Sequence, residues 1–233
     1  MIKPGKTTQF GVVTLGLVLV LFATGGHASA GEGYGAKRVE KAPPAEIADE
    51  IKAVLSNEAI QISGPDGLRY EFWFAKSVAL SAADKGKELE NIPPITLLGA
   101  AQVQDVENLD FREDEVLPGV YTMRYGLQPE DGNHLGTSEE PFFAILIPAE
   151  RDQKLNGIED HDDMVDRSME DTAGVHPYIL AMQTLTADAP DTVLAIAEGG
   201  HDWQYVVLEL PGSVDGKATP FKIQLVFEGV GEL

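Results

Sequence analysis

The sequence predicts a mainly β fold, an antiparallel β-sandwich with one short N-terminal amphipathic helix and long loops. Several short runs alternate apolar and polar residues, as strands with one buried face do. Turn signals rich in proline and glycine separate these runs, and the chain shows no regular alternation of strands with helices. Short strands joined in this way favour antiparallel sheets packed face to face.

Residues 1–30 have the pattern of a secretory signal peptide. Lys3 and Lys6 precede an apolar run over residues 10–23, and residues 28–30 have the small side chains of a cleavage site. The apolar run is shorter than the roughly 20 residues of a membrane-spanning helix, although an uncleaved N-terminal anchor is the alternative. We therefore expect an exported protein, periplasmic or extracellular, that is free of the membrane once the signal is cleaved.

Beyond the signal, the sequence predicts a flexible leader over residues 31–42 and a single β-rich domain over residues 43–233. The chain is acidic, with 38 Asp and Glu against 17 Lys and Arg and a formal net charge of −21. That balance argues against a nucleic-acid partner and against docking on anionic lipid. Because there is no cysteine, a thiol nucleophile, an iron–sulfur cluster and a thiolate zinc site are excluded.

The N-terminal helix is predicted just after the leader. Two prolines at 43 and 44 suit a helix start, because proline presets the backbone there and needs no hydrogen-bond acceptor. An apolar face at helical spacing follows, made of Ile47, Ile51, Val54 and Leu55. We expect this helix to pack on the β-rich domain.

A β-hairpin is predicted next. Ile60 and Ile62 alternate with polar residues, and the turn signal Gly-Pro-Asp-Gly at 64–67 leads into an alternating run over residues 68–74. In that run Trp73 points away from its apolar neighbours, so we expect it to be the most exposed of these aromatic residues. A further strand is predicted over residues 95–106.

The densest pattern covers residues 117–148. Residues 120–127 alternate as a strand with one face on a core, and the continuous apolar run over residues 142–147 is typical of a buried strand. Between them, residues 128–141 form a loop longer than hairpins need. We expect this loop to be ordered and to hold the site.

Three residues of that loop, Asp131, Asn133 and His134, are the candidate metal ligands. Carboxylate, amide and imidazole groups close together can hold a divalent metal, and Ca²⁺ and Zn²⁺ are the candidates. The alternative is a polar loop whose Asp and Asn side chains hold its own turns. A zinc site would also need other histidines, such as His176 or His201, to converge on it.

The rest of the chain has a charged excursion and then more strands. The strong charge of residues 150–171 predicts a surface segment with one or two helical turns. The acidic cluster at residues 160–163 can gather cations, but a solvated face is the stronger interpretation. Strand-like runs follow at the C-terminal end. They cover residues 192–197, 203–210 and 220–227, with a turn at 199–202 between the first two.

The central hairpin and its loop resemble a group of uncharacterised exported bacterial proteins that share the core PGVYTxRYGLQPxDGxHxG, which here runs from Pro118 to Gly136. The resemblance implies export and a β-rich domain, and it supplies no activity and no catalytic residue.

No recognised catalytic motif is present: the chain has no G-x-S-x-G, no H-E-x-x-H and no phosphate-binding glycine loop. We therefore expect an exported, acidic, non-catalytic β-sandwich protein that binds a ligand, an ion or an envelope partner. The partner would be a small molecule or an envelope protein. The alternative is a metal-dependent, hydrolase-like enzyme that uses the Asp131 and His134 loop.

Overall fold

The computed structural model describes residues 33–109, 115–129, 140–169, 176–199 and 203–229. Thirteen strands lie within these residues. In chain order they are β1 Gly35–Glu40, β2 Glu58–Gly64, β3 Gly67–Phe74, β4 Val78–Ala79, β5 Leu97–Val103, β6 Gly119–Leu127, β7 Phe142–Pro148, β8 Tyr178–Gln183, β9 Ile196–Glu198, β10 Gln204–Leu210, β11 Gly212–Val214, β12 Lys217–Ala218 and β13 Phe221–Glu228.

The helices are few. There are two α-helices, α1 Asp49–Lys52 and α2 His161–Met169, and two short 3-10 helices at Leu89–Asn91 and Ala149–Arg151. Among the residues that the structure describes, no helix has both the length and the apolar character needed to cross a membrane.

Ten strands form one antiparallel sheet in the order β1-β2-β3-β5-β6-β7-β8-β13-β10-β9. A small second sheet has the order β12-β11-β4, with β4 parallel to β11. The predicted mainly β, antiparallel fold is therefore confirmed. Hairpin turns account for several of the pairings; for example, Pro65 and Asp66 alone connect β2 to β3, where a turn was expected.

The large sheet curls until its two ends face each other. The ring of Tyr70 on β3 lies 6.5 Å from the ring of Phe227 on β13, although these strands are far apart in the sheet order. Tyr34, just before β1, is 5.9 Å from the same phenylalanine. The sequence predicts a β-sandwich; the structure shows instead one large antiparallel sheet that curls, together with a small three-stranded sheet.

The inner face of the curl is filled by large side chains, including Tyr70, Phe72, Met123, Tyr125, Leu180, Leu225 and Phe227. The outer face carries a second apolar cluster that includes Phe143, Ile145, Ile147, Ile179, Val207 and Val226. Residues 142–147 of β7 send alternate side chains to each cluster. This explains why that run is continuously apolar: the strand is buried on both faces.

Strand β1 lies within residues 31–42, which were predicted to be a flexible leader. All six of its residues pair with β2, from Gly35 opposite Ser63 to Glu40 opposite Glu58. Val39 also packs against the inner cluster. The strand was missed because its charged residues interrupt the alternation of apolar and polar residues. Such charges are common on edge strands, where they discourage pairing with other chains.

The N-terminal helical segment is shorter than its pattern predicts. Only Asp49–Lys52 is α-helical, and hydrogen-bonded turns continue on both sides. Ile47, Ile51 and Leu55 are nevertheless at most 1% exposed, as the predicted apolar face requires. The segment ends by pairing with the sheet, since Leu55 bridges Ala75 at the end of β3.

This segment overturns the prediction for Trp73, which is 0% exposed rather than the most exposed aromatic residue. Its indole Nε1 donates a hydrogen bond of 2.8 Å to the Lys41 carbonyl oxygen, and the Lys41 ammonium lies 5.5 Å from the ring centroid. Alternation placed Trp73 correctly on the face opposite Phe72. That face is covered by residues 41–57, which alternation within β3 could not reveal.

Residues 149–169 fold back over the outer face of β7. Met164 and Ser168 of α2 are fully buried, and the Ser168 hydroxyl donates to the Leu146 carbonyl oxygen at 2.6 Å. The acidic cluster lies at the start of α2, where the Asp160 side chain accepts a 2.9 Å hydrogen bond from the Asp163 N–H. Carboxylates are favoured there by the helix dipole, so much of the cluster caps a helix.

Candidate functional site

The three residues predicted to bind a metal, Asp131, Asn133 and His134, lie outside the described residues, as does His201. Within the described ranges, no group of three or more His, Cys, Asp or Glu residues is arranged to hold a metal ion. The His134 loop therefore stays a prediction, and the site that can be built from described side chains lies elsewhere.

That site is organised by Arg124 on β6, which is 2% exposed. Its Nε and Nη2 atoms donate to the two carboxylate oxygens of Asp152, at 2.7 Å and 2.9 Å. Its Nη1 donates to the carbonyl oxygens of Ile95 and Leu155, at 3.2 Å and 3.0 Å, and Nη2 also donates to that of Lys154 at 3.1 Å. A guanidinium has five N–H groups, so all of its donors have an acceptor.

Asp152 is 0% exposed, and its carboxylate accepts a third hydrogen bond, from the Thr122 hydroxyl at 2.7 Å. Thr122 and Arg124 share one face of β6 because they are two residues apart. A buried carboxylate needs a positive partner and several donors, and this arrangement supplies both. The pair thus fixes residues 152–155 on the outer face of the sheet.

A cleft of about 430 Å³ opens beside this pair; we call it the Arg124 cleft. The stretch after β3 contributes Ala75 and Ala79 to its apolar lining, and the larger apolar side chains come from three other parts of the fold: the α1 segment, the start of β5 and the segment before α2. These side chains are Val54, Ile95, Leu97, Leu155 and Ile158. The neutral polar residues Ser77, Thr96 and Asn156 complete much of its edge.

The guanidinium connects the two walls of this cleft. One Arg124 nitrogen, Nη1, holds the carbonyl of Ile95 on one wall and that of Leu155 on the other. A further contact fixes the second wall, since the Leu155 N–H donates to the side chain of Glu50 in α1. The width of the cleft is therefore set by hydrogen bonds as well as by packing.

Ile95 has a strained backbone, with φ at +68°. A β-branched residue rarely occupies this left-handed region, because its side chain crowds its own backbone. Two hydrogen bonds hold it there: its N–H donates to the Tyr125 carbonyl oxygen at 2.9 Å, and its own carbonyl oxygen accepts from Arg124. Strain of this kind costs roughly 1–3 kcal/mol and is often found at ligand-binding positions.

The lining of the Arg124 cleft does not suit acid–base chemistry. Among its described lining residues Arg124 is the only charged one, and its donors are already engaged. No carboxylate or histidine in that lining can accept a proton from Ser77, so the serine has no base to activate it as a nucleophile.

Two other clefts are less suited to a small ligand. One, of about 350 Å³, lies between β2 and β10; its rim carries Arg38 and Glu58, which pair with each other at 2.7 Å. The other, of about 410 Å³, is lined by Asp105, Glu107 and Glu115 and borders residues outside the described ranges. Neither has a wall with a strained backbone among its described residues.

Sequence reasoning missed the residues that build this site. It placed Arg124 on the non-core face of its strand and read residues 150–171 as a surface excursion, so the Arg124–Asp152 pair was not expected. Nothing local links two positions 28 residues apart. A weaker signal was present in Asp160, Met164 and Ser168, whose spacing of four predicts a capped helix with a buried face.

Comparison with known proteins gives no relative from which a role could be transferred. The chain matches no protein-family model, no curated protein and no solved structure.

Proposed function

We propose that this chain is an exported, acidic, non-catalytic protein that binds a small ligand in the Arg124 cleft, with the two ends of its curled sheet serving as the layers of a β-sandwich. The observation that supports binding is the lining: an aliphatic cleft whose only charged described residue is fully hydrogen-bonded. Pockets for small molecules usually combine apolar walls with a few polar groups, and volumes of about 300–1,000 Å³ are typical.

The way the cleft is built supports the same proposal. Several separate parts of the chain meet there, and a strained residue, Ile95, forms one wall. The strain is maintained by a buried ion pair that also fixes the opposite wall. A preformed cleft loses little conformational entropy when a ligand enters, so its affinity is higher for the same contacts.

The experiment is to titrate the purified protein with a neutral fluorescent dye that brightens in apolar surroundings. Ala79 lines the cleft and is exposed, so Ala79→Trp should fill the space without disturbing the core. Ala83 is exposed just after β4 but does not line the cleft, so Ala83→Trp is the control. We expect saturable binding to wild type and to the control, and at least tenfold weaker binding to the Ala79 variant. Equal binding to all three proteins would refute the proposal.

The alternative function, a metal-dependent hydrolase-like enzyme using Asp131, Asn133 and His134, stays a prediction of the sequence. Elemental analysis of the purified protein tests it directly. A stoichiometric metal that is lost in the His134→Ala variant would favour the enzyme, whereas a metal-free protein whose melting temperature ignores added Ca²⁺ and Zn²⁺ would remove it.

A further inference from the structure

We infer that the Arg124 cleft selects a neutral aliphatic amphiphile, a molecule with an alkyl body and a hydroxyl or amide head. This inference rests on the proposed function and adds the chemical class of the ligand. It follows from which polar groups of the cleft can still form hydrogen bonds to a ligand and which are already bonded within the protein.

Among the described lining residues, no cation has a free donor for an anionic head group. The Arg124 Nε–H and all four Nη–H groups have protein acceptors, two of them on Asp152, so a ligand carboxylate would have to displace an existing bond. No lysine, histidine or second arginine is among the described lining residues. The formal net charge of −21 adds a long-range penalty for anions.

The shape of the walls favours an alkyl group over a ring. The apolar lining is aliphatic, provided by Val54, Ile95, Leu97, Leu155 and Ile158, and no described aromatic residue faces the cleft. Nucleobases and sugars are usually held by stacking on aromatic rings, which this lining cannot provide. The volume of about 430 Å³ lies within the range typical of small-molecule sites.

The polar groups at the rim are neutral and suit a hydroxyl or amide. Ser77 and Asn156 are exposed, and each side chain can donate and accept hydrogen bonds. The Thr96 hydroxyl donates to the Pro93 carbonyl oxygen at 2.6 Å, so its lone pairs remain as acceptors. A head group with both a donor and an acceptor is therefore matched at the rim while the alkyl chain lies between the aliphatic walls.

The test compares three probes of equal chain length: 1-decanol, decanoate and decylammonium. Each competes with the neutral dye on wild type, on Ala79→Trp and on the control Ala83→Trp, below its micelle-forming concentration. We expect decanol to bind at least tenfold more tightly than decanoate and no more weakly than decylammonium. We also expect Ala79→Trp to lose decanol binding at least tenfold while Ala83→Trp keeps it.

The outcomes separate the two claims. If decanoate or decylammonium binds more tightly than decanol, and Ala79→Trp still abolishes binding, the ligand class is wrong and the binding site stands. If none of the three probes distinguishes Ala79→Trp from Ala83→Trp, both the ligand class and the proposed function fail. Equal melting temperatures for the two tryptophan variants establish that a difference in binding does not come from unfolding.

Discussion

The guanidinium of Arg124 and the carboxylate of Asp152 form a two-point contact, with Nε 2.7 Å from one oxygen and Nη2 2.9 Å from the other, while the side chains are 3% and 0% exposed. A buried pair of this kind gains little over a well-packed apolar pair, because both ions lose their hydration. Breaking it is costly, since the remaining ion is left buried without a partner. Here the pair also holds the Ile95 and Leu155 carbonyls in place.

We predict that Asp152→Ala lowers the free energy of unfolding by about 3–5 kcal/mol, the usual cost of leaving one buried ion unpaired. Urea denaturation of variant and wild type measures it. Asp191 pairs with Lys222 at a similar distance of 2.6 Å but its side chain is 99% exposed, so Asp191→Ala is the matched control and should differ little from wild type.

The double variant Arg124→Met with Asp152→Leu shows whether the loss of stability comes from the missing ion pair or from leaving one buried ion without a partner. Because it removes both ions, it should be more stable than Asp152→Ala alone. If Asp152→Ala cost no more than Asp191→Ala, the buried pair would not be what anchors residues 152–155.

Alkaline pH should weaken the contact between Tyr34 and Glu228, which closes the curl. The Tyr34 hydroxyl donates to Glu228 at 2.7 Å; burial first, and then this bond to a carboxylate, raise the pKa of Tyr34 to about 12. Below pH 10, tyrosine is protonated in both the folded and the unfolded chain, and its contribution to stability is fully present. Between pH 10 and about 12 only the unfolded chain loses the proton, so stability falls as pH rises.

The measurement is the free energy of unfolding of wild type and Tyr34→Phe at neutral pH and at several values above pH 10. We expect the variant to lose less stability over the alkaline range. Burial also raises the pKa of Tyr125, so the free energy of unfolding of the variant should still fall as the pH rises, but less steeply than that of wild type. Identical slopes for the two proteins would show that Tyr34 does not resist ionisation in the folded state.

Gly99 should be intolerant of any side chain. A Cβ built there would lie 2.5 Å from the Trp73 carbonyl oxygen and 3.0 Å from the Phe74 Cα, and backbone atoms cannot move aside cheaply. We predict that Gly99→Ala costs about 1–3 kcal/mol, as overpacking usually does. Gly35→Ala is the control, because nothing lies within 4 Å of its Cβ position. Thermal unfolding of both variants checks the difference, and equal melting temperatures would contradict it.

Added salt should raise the melting temperature. The chain carries a formal net charge of −21, and self-repulsion of that size opposes the folded state at low ionic strength. The Debye length shrinks to about 10 Å at 0.1 M salt, so most of the gain should come below about 0.5 M. Differential scanning calorimetry in increasing sodium chloride measures it. A melting temperature that stays flat over this range would argue against the effect.

Local pattern predicted the apolar strands well, because their alternation is recorded in their own residues, but it missed the charged strand β1. The runs at 120–127 and 142–147 became β6 and β7 almost residue for residue. Burial of the outer face was not predictable in the same way. The pattern of β3 and β6 alone predicts that the faces carrying Trp73 and Arg124 are exposed. Both residues are buried, because segments distant in sequence cover those faces.

The candidate site could not be predicted from the sequence, because it too depends on contacts between segments that are distant in sequence. Its anchor joins β6 to Asp152 in a segment whose charges predict a solvated surface, and its strained wall at Ile95 has no sequence signature, since β-branched residues usually avoid that conformation. What the sequence did favour, the loop around His134, lies outside the described residues. Its metal site stays a prediction with its own test.

The position of β13 has a consequence for how the chain folds. The last strand lies between β8 and β10 inside the large sheet, and Glu228 at its end contacts Tyr34, 194 residues earlier. Until β13 is in place, β8 and β10 have no common neighbour, and their edges are open to wrong partners. Closing the curl also requires contacts between residues 194 positions apart, and contacts so distant in sequence slow folding.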